Sequence, residues 1–131
     1  SGNADMFAIM KVIQNIGNAR ANDEFGLPAR KVLELATIGG ARSMGIDNLV
    51  GSLTPGKRAD LIMVDTRHLN LAVPGEPAHM LVEAAQPLNV DTVMVDGRIL
   101  KRAGELTSLN VNQTVSEASA ASLAVRERAN W

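Results

Sequence analysis

The chain contains no cysteine and no tyrosine, one tryptophan and two phenylalanines among its 131 residues. Without cysteine there can be no disulfide, no thiolate nucleophile and no Cys-ligated zinc site, a usage that fits a reducing cytosol. With so few rings, burial must come from Ala, Val, Leu, Ile and Met, so the core is predicted to be aliphatic. A dominant charge is missing too: thirteen Lys and Arg stand against fourteen Asp and Glu, a formal net charge of −1. The basic residues are scattered, gathered at most in pairs such as Lys57-Arg58 and Lys101-Arg102. That argues against a nucleic-acid footprint and against attraction to an acidic membrane surface. No apolar run approaches the roughly 20 residues that span a bilayer. The first five residues, from Ser1 to Asp5, lack the basic-then-apolar order of a signal peptide. The expectation is one soluble, cytoplasmic domain with a modest core.

What is present begins with a helical stripe. Met6, Phe7, Met10, Ile13 and Ile16 recur at three- and four-residue steps, predicting a helix from Asp5 to Asn18 capped by Asn3 or Asp5. Residues 18–25 read as a loop. A second helix is predicted from Pro28, a residue suited to the first helical position, to Gly45 as its cap. Within it, Gly39-Gly40 suggests close approach of another element. The texture then changes. Leu49 to Leu53 reads as a short extended piece, and Thr54-Pro55-Gly56-Lys57 as a type II turn. Asp60 to Asp65 reads as a strand buried on both faces, and Pro77 to Ala85 as a short helix. Val90–Val95 and Arg98–Arg102 flank Asp96-Gly97, the strongest hairpin signal in the chain. Beyond Gly104 an irregular stretch leads to a capping box, Thr114 with Glu117, that opens a final alanine-rich helix.

Chemistry is harder to find. His68 and His79 are the only histidines and do not stand at a metal-binding spacing, so both read as surface or structural groups. Asp60 and Asp65 flank a strand, and Asp60 is expected to accept backbone N–H groups after the preceding turn. Asp96 is accounted for by its hairpin. Lys57 reads as a solvated turn residue or half of a salt bridge. No serine has a histidine near it in sequence, and the six methionines are spread over several elements as core filler.

Three runs carry a resemblance. They are Val32 to Arg42, Met44 to Ile46, and Val50 to Asp65, the last holding Gly51, Ser52, Leu53, Pro55, Gly56, Lys57, Ala59 and Asp60. Together they resemble the closing segment of the metal-dependent amidohydrolases, in the branch of cytosine and guanine deaminases, adenosylhomocysteine deaminases and triazine chlorohydrolases. Val93 to Arg98, with Asp96 and Gly97, is similar to the terminal hairpin of the same proteins. The resemblance covers residues 1–105, and the tail after Glu105 departs from what it leads one to expect.

The resemblance implies a (β/α)8 barrel carrying zinc or iron, with a small β domain built from both chain ends. The ligands of that metal, an HxH pair, two further histidines and an aspartate, would all lie before residue 1. Asp5 would cap a helix rather than bind metal. The chain is therefore expected to be α+β: helices from the end of an incomplete barrel (1–48), a β segment of the composite domain (49–105) and a capped C-terminal helix (106–131). No catalytic residue, metal ligand or cofactor is expected in this chain. Gly51, Pro55, Gly56, Lys57, Asp60, Asp96 and Gly97 form its structural motif. Two functions fit: a scaffold portion of a hydrolase whose parent reaction is deamination or dechlorination of a nitrogen heterocycle, or a stand-alone, non-catalytic interaction module. Either way a homodimer is expected, because surfaces meant for the barrel would be left uncovered.

Overall fold

The computed structural model describes residues 4–129. Helix α1 (Met6–Ala21) is opened by Asp5, whose Oδ1 accepts the N–H groups of Phe7 at 3.0 Å and Ala8 at 3.2 Å. These are two of the donors that a helix start leaves without partners. The alternative cap, Asn3, lies outside the described residues. Phe7, Met10 and Gln14 point inward, while Ile13 and Ile16 of the expected stripe remain partly in solvent. The helix runs past Asn18 to Ala21 and stops where Asn22 turns left-handed, at φ 50°. Residues 18–21 read as loop because they are polar. Polarity marked their exposure, not their backbone.

The second helical rod is α2 (Ala29–Glu34), a π segment (Leu35–Gly39) and α3 (Gly40–Ser43). Pro28 sits one step earlier than expected, as the extended N-cap, and its carbonyl accepts from Lys31 and Val32. The glycine pair does not admit another element. A Cβ on Gly39 would meet the carbonyl oxygen of Glu34 at 3.1 Å, an atom of the same rod, so the pair accommodates the widened π turn. Gly45, at φ 70°, follows the last turn, and the Ile46 N–H reaches back to Ala41 while the Gly45 N–H reaches Arg42. That is the glycine-terminated ending foreseen there.

Strands β1 (Leu61–Val64), β2 (Val90–Val95), β3 (Arg98–Arg102) and β4 (Glu105–Leu106) form one antiparallel sheet in that order. Asp96 at φ 50° and Gly97 at φ 76° make the expected two-residue turn. A second such turn, Ala103 at φ 50° with Gly104 at φ 81°, adds β4, which was expected to be irregular. Alanine gives no turn signal, so that hairpin was hidden. Residues 49–53 are turns rather than a strand, with the Leu49 and Val50 N–H groups bonded to the Ile46 carbonyl. β1 is not buried on both faces: it is an edge strand with Ile62 51% and Met63 57% exposed. Its apolar composition reflects a need for cover that these residues do not themselves supply.

Between α1, α2, β2 and the short helix α4 (Pro77–Glu83) lies the core of Phe7, Met10, Ala29, Val32, Leu71, Val82, Ala85 and Val90. It is aliphatic apart from Phe7, as composition required. At its edge Asn89 is fully buried, its Oδ1 accepting from the Gln86 N–H and from Asn70, while its Nδ2 returns a bond to Asn70. A buried amide is tolerable only when satisfied in this way. Glu76 caps α4 by accepting the His79 N–H at 2.9 Å, and also meets Arg30 at 3.0 Å. Helix α5 (Val111–Ala129) begins before the expected Thr114: Asn110 accepts the Gln113 N–H, and Glu117 bonds the Gln113 side chain instead of closing a box. No helix among the described residues is long and apolar enough to cross a membrane.

Two outcomes follow. Gly97→Val forces a β-branched residue to φ 76° and should cost about 1–3 kcal/mol, read as a lowered melting temperature; an unchanged melt would show that the turn tolerates any residue. The Glu76 carboxyl is held below its ordinary value, chiefly by the His79 N–H and further by Arg30, with burial opposing. A depressed carboxyl stabilises the fold above its unfolded pKa and loses that effect as pH falls through its folded one. Melting followed from neutral pH to below pH 4 should therefore decline, and less steeply in Glu76→Gln; identical profiles would refute the cap's contribution.

Candidate functional site

The seven motif residues converge. Gly51, at φ 88°, lies against the second rod so closely that a Cβ there would come within 2.9 Å of the Ala41 Cβ and the Ile38 Cα. This is the close approach that the Gly39-Gly40 pair suggested, displaced to the loop. Pro55-Gly56 makes the turn that was read from sequence, closed by the Lys57 N–H on the Thr54 carbonyl at 3.2 Å, with Gly56 at φ 92°. Among the described residues Lys57 makes no ion pair. Its half-buried ammonium donates to the carbonyls of Asp47 and Val50 (the latter at 3.2 Å), while the Arg58 N–H bonds the Leu49 carbonyl. Three backbone acceptors of an irregular loop are thereby satisfied from one short stretch.

Asp60 does not serve the turn that precedes it. Its Oδ1 accepts the Asp96 N–H at 2.6 Å, and the neighbouring Ala59 carbonyl accepts the Gly97 N–H at 3.1 Å. Arg58 adds a loose, exposed pair to Asp96 at 3.8 Å, worth little by itself. The Pro55–Asp60 motif and the Asp96-Gly97 turn, 36 residues apart at Asp60 and Asp96, are thus two halves of one joint. Sequence reading found both halves but could not pair them, since the bond runs across the sheet.

Other charged groups are tied to nearby structure. Asp65 accepts the Arg67 N–H at 3.0 Å and its Nε and Nη2 at 2.9 and 2.8 Å, which holds its carboxyl far below the usual range. A hollow of about 300 Å³ beside the start of α1 is lined by Asp5, Lys11, Glu83 and Pro87 among others. Within it Lys11 is tied to the Glu83 carbonyl at 2.8 Å and Asp5 to its helix. His68 precedes a 3-10 turn (Leu69–Leu71), and His79 lies on α4. Among the described residues no three His, Asp or Glu side chains form a group that could hold a metal ion.

Comparison with known proteins agrees with this geometry. Residues 2–100 match the amidohydrolase family. The chain is 40% identical over 121 residues to the 5'-deoxyadenosine deaminase of Methanothermobacter thermautotrophicus, covering 92% of this chain and 28% of that protein. It is 36% identical over 117 residues to the 5-methylthioadenosine/S-adenosylhomocysteine deaminase of Moorella thermoacetica, covering 89% and 27%. In three dimensions it matches a zinc-bound adenosine deaminase from Xanthomonas campestris with a TM-score of 0.87 and 30% identity, over 93% of this chain and 28% of that one. The family match stops short of the tail, at residue 100, while 92% coverage by the Methanothermobacter relative leaves about ten of the 131 residues unmatched. The chain spans little more than a quarter of the length of these relatives. In its motif, its helices and its sheet, it belongs to the amidohydrolase family, as a C-terminal portion of that fold.

Proposed function

We propose that this chain is the scaffold portion of a cytoplasmic hydrolytic deaminase acting on an adenosine-type base, and that it contributes no catalytic residue. The observation carrying this reading is a match over nine-tenths of the chain to a deoxyadenosine deaminase of which it spans little more than a quarter. The reaction of such an enzyme adds water to the carbon bearing the amino group and releases ammonia. In this family zinc or iron activates the water, and on this reading the groups that hold it belong to the part of the enzyme the chain does not span. Gly51, Pro55, Gly56, Lys57, Asp60, Asp96 and Gly97 instead lock the loop to the hairpin. Hydrolytic dechlorination of a related heterocycle is the neighbouring chemistry, with the same division of labour.

Taken alone, the chain is proposed to associate as a homodimer. Val12, Ile13 and Ile16 of α1 and Ile62 and Met63 of β1 are all at least 40% exposed, and β1 has an open edge. An apolar face and an unpaired strand both favour association, and two-fold pairing is the commonest result.

The isolated chain should hold no stoichiometric zinc or iron and should not deaminate adenosine when zinc is supplied. A chimera in which it replaces the matching quarter of the Xanthomonas enzyme should release ammonia from adenosine. Turnover by the isolated chain, abolished by replacing His68 or His79, would overturn the scaffold reading; so would a chimera that folds but is inert. Light scattering of the isolated chain across a dilution series should report a dimer, and a monomer persisting at high concentration with cooperative melting would refute the association.

A further inference from the structure

Every residue of α5 is exposed, though the helix is 19 residues long, about 28 Å at 1.5 Å per residue. Its small, uncharged residues are ordered. Val111, Val115, Ala118, Ser122, Val125 and Ala129 recur at steps of four and three, which places them along one narrow stripe. Glu117, Arg126, Glu127 and Arg128 all fall outside it. On its flank Ala118, Ser119 and Ser122 leave a shallow hollow between the shoulders of Val115, Leu123 and Arg126. The stripe presents small side chains and no charge to solvent.

The superposition on the Xanthomonas enzyme narrows the choice of occupant. A match over 93% of 131 residues leaves about nine outside, so at least half of the 19-residue helix lies within the shared geometry. Much of the helix is therefore shared with a protein more than three times as long, which has further chain for it to meet. We propose that α5 is a clasp, and that its stripe seats on the part of the enzyme this chain does not span. The inference rests on the scaffold reading and names the surface through which the scaffold is held.

Magnitudes favour that occupant over a second copy. The three stripe valines are only 50–58% exposed to begin with, and the rest of the stripe is alanine and serine. Two such stripes facing one another would bury less than the roughly 1,000 Å² that a stable interface between free molecules needs. A clasp on a body already joined to the remainder of the chain escapes most of that requirement, because its local concentration is high and little translational freedom is lost on closing.

Hydrogen exchange measured by mass spectrometry on the isolated chain and on the chimera tests this. Amides of residues 115–125 should exchange at least about tenfold more slowly in the chimera. Val115→Asp with Val125→Asp should abolish that protection while leaving α1 and α2 protected. Ala120→Asp, which puts the same charge on the opposite side of α5, should leave it intact. Equal exchange of α5 in the two proteins overturns the proposal. So does protection in the isolated chain that grows with concentration, the signature of a second copy. A chimera without deaminase activity but with α5 protected would sink the scaffold reading and uphold the clasp.

Discussion

The structure depends on the joint at which the carboxylate of Asp60 and the carbonyl of Ala59 receive the N–H groups of Asp96 and Gly97. A two-residue turn with both positions at positive φ leaves its own amides facing away from the ladder, where water would otherwise take them. Here they are bonded by the residues that lead into β1. The hairpin therefore cannot shift register against β1 without losing both bonds, one of them charge-assisted. Lys57 extends the same logic to the loop before the joint, its ammonium bridging carbonyls that no strand or helix partners. Through Gly51 that loop is pressed onto the second helical rod. Sheet and helices are thus related to one another largely through backbone groups of an irregular segment.

The hydrophobic core is small and placed to one side. Eight buried apolar residues gather where α1, α2 and α4 meet β2. By contrast, most of the sheet beyond β2 and the outer stripe of α1 keep large apolar side chains at the surface. Contiguous aliphatic surface of this extent is uncommon on a free-standing domain of this size. The imbalance is what a portion of a larger layered fold would show: burial is complete where its own elements meet and unfinished where neighbours are expected. It also explains how β1 can be apolar at nearly every position and still stand at an edge.

The same residues that identify the family are engaged in structural contacts. Glycine at 51 answers a steric limit, Gly56, Asp96 and Gly97 answer positive φ, and Lys57 and Asp60 answer unpaired backbone groups. A motif can be highly specific because one arrangement of loop and hairpin satisfies its backbone groups.

Local chemistry determined much of this protein from sequence alone. The Asp5 cap, the Pro55-Gly56 and Asp96-Gly97 turns, both strands of the central hairpin and the aliphatic core follow from rules that act within a few residues, and each was legible for that reason. Family membership was legible too, because the Gly51–Asp60 and Asp96-Gly97 motifs are written continuously. Exposure and pairing were decided only by the tertiary structure. The apolar run of β1 could not declare itself an edge, since that depends on which strand fails to arrive beside it. Asp60 could not name Asp96, nor Lys57 the carbonyls of Asp47 and Val50, nor Asn89 its partner Asn70, because those bonds form between segments that only the fold brings together. A side chain's type states which bonds it can make; its position in the packed chain selects the one it does make.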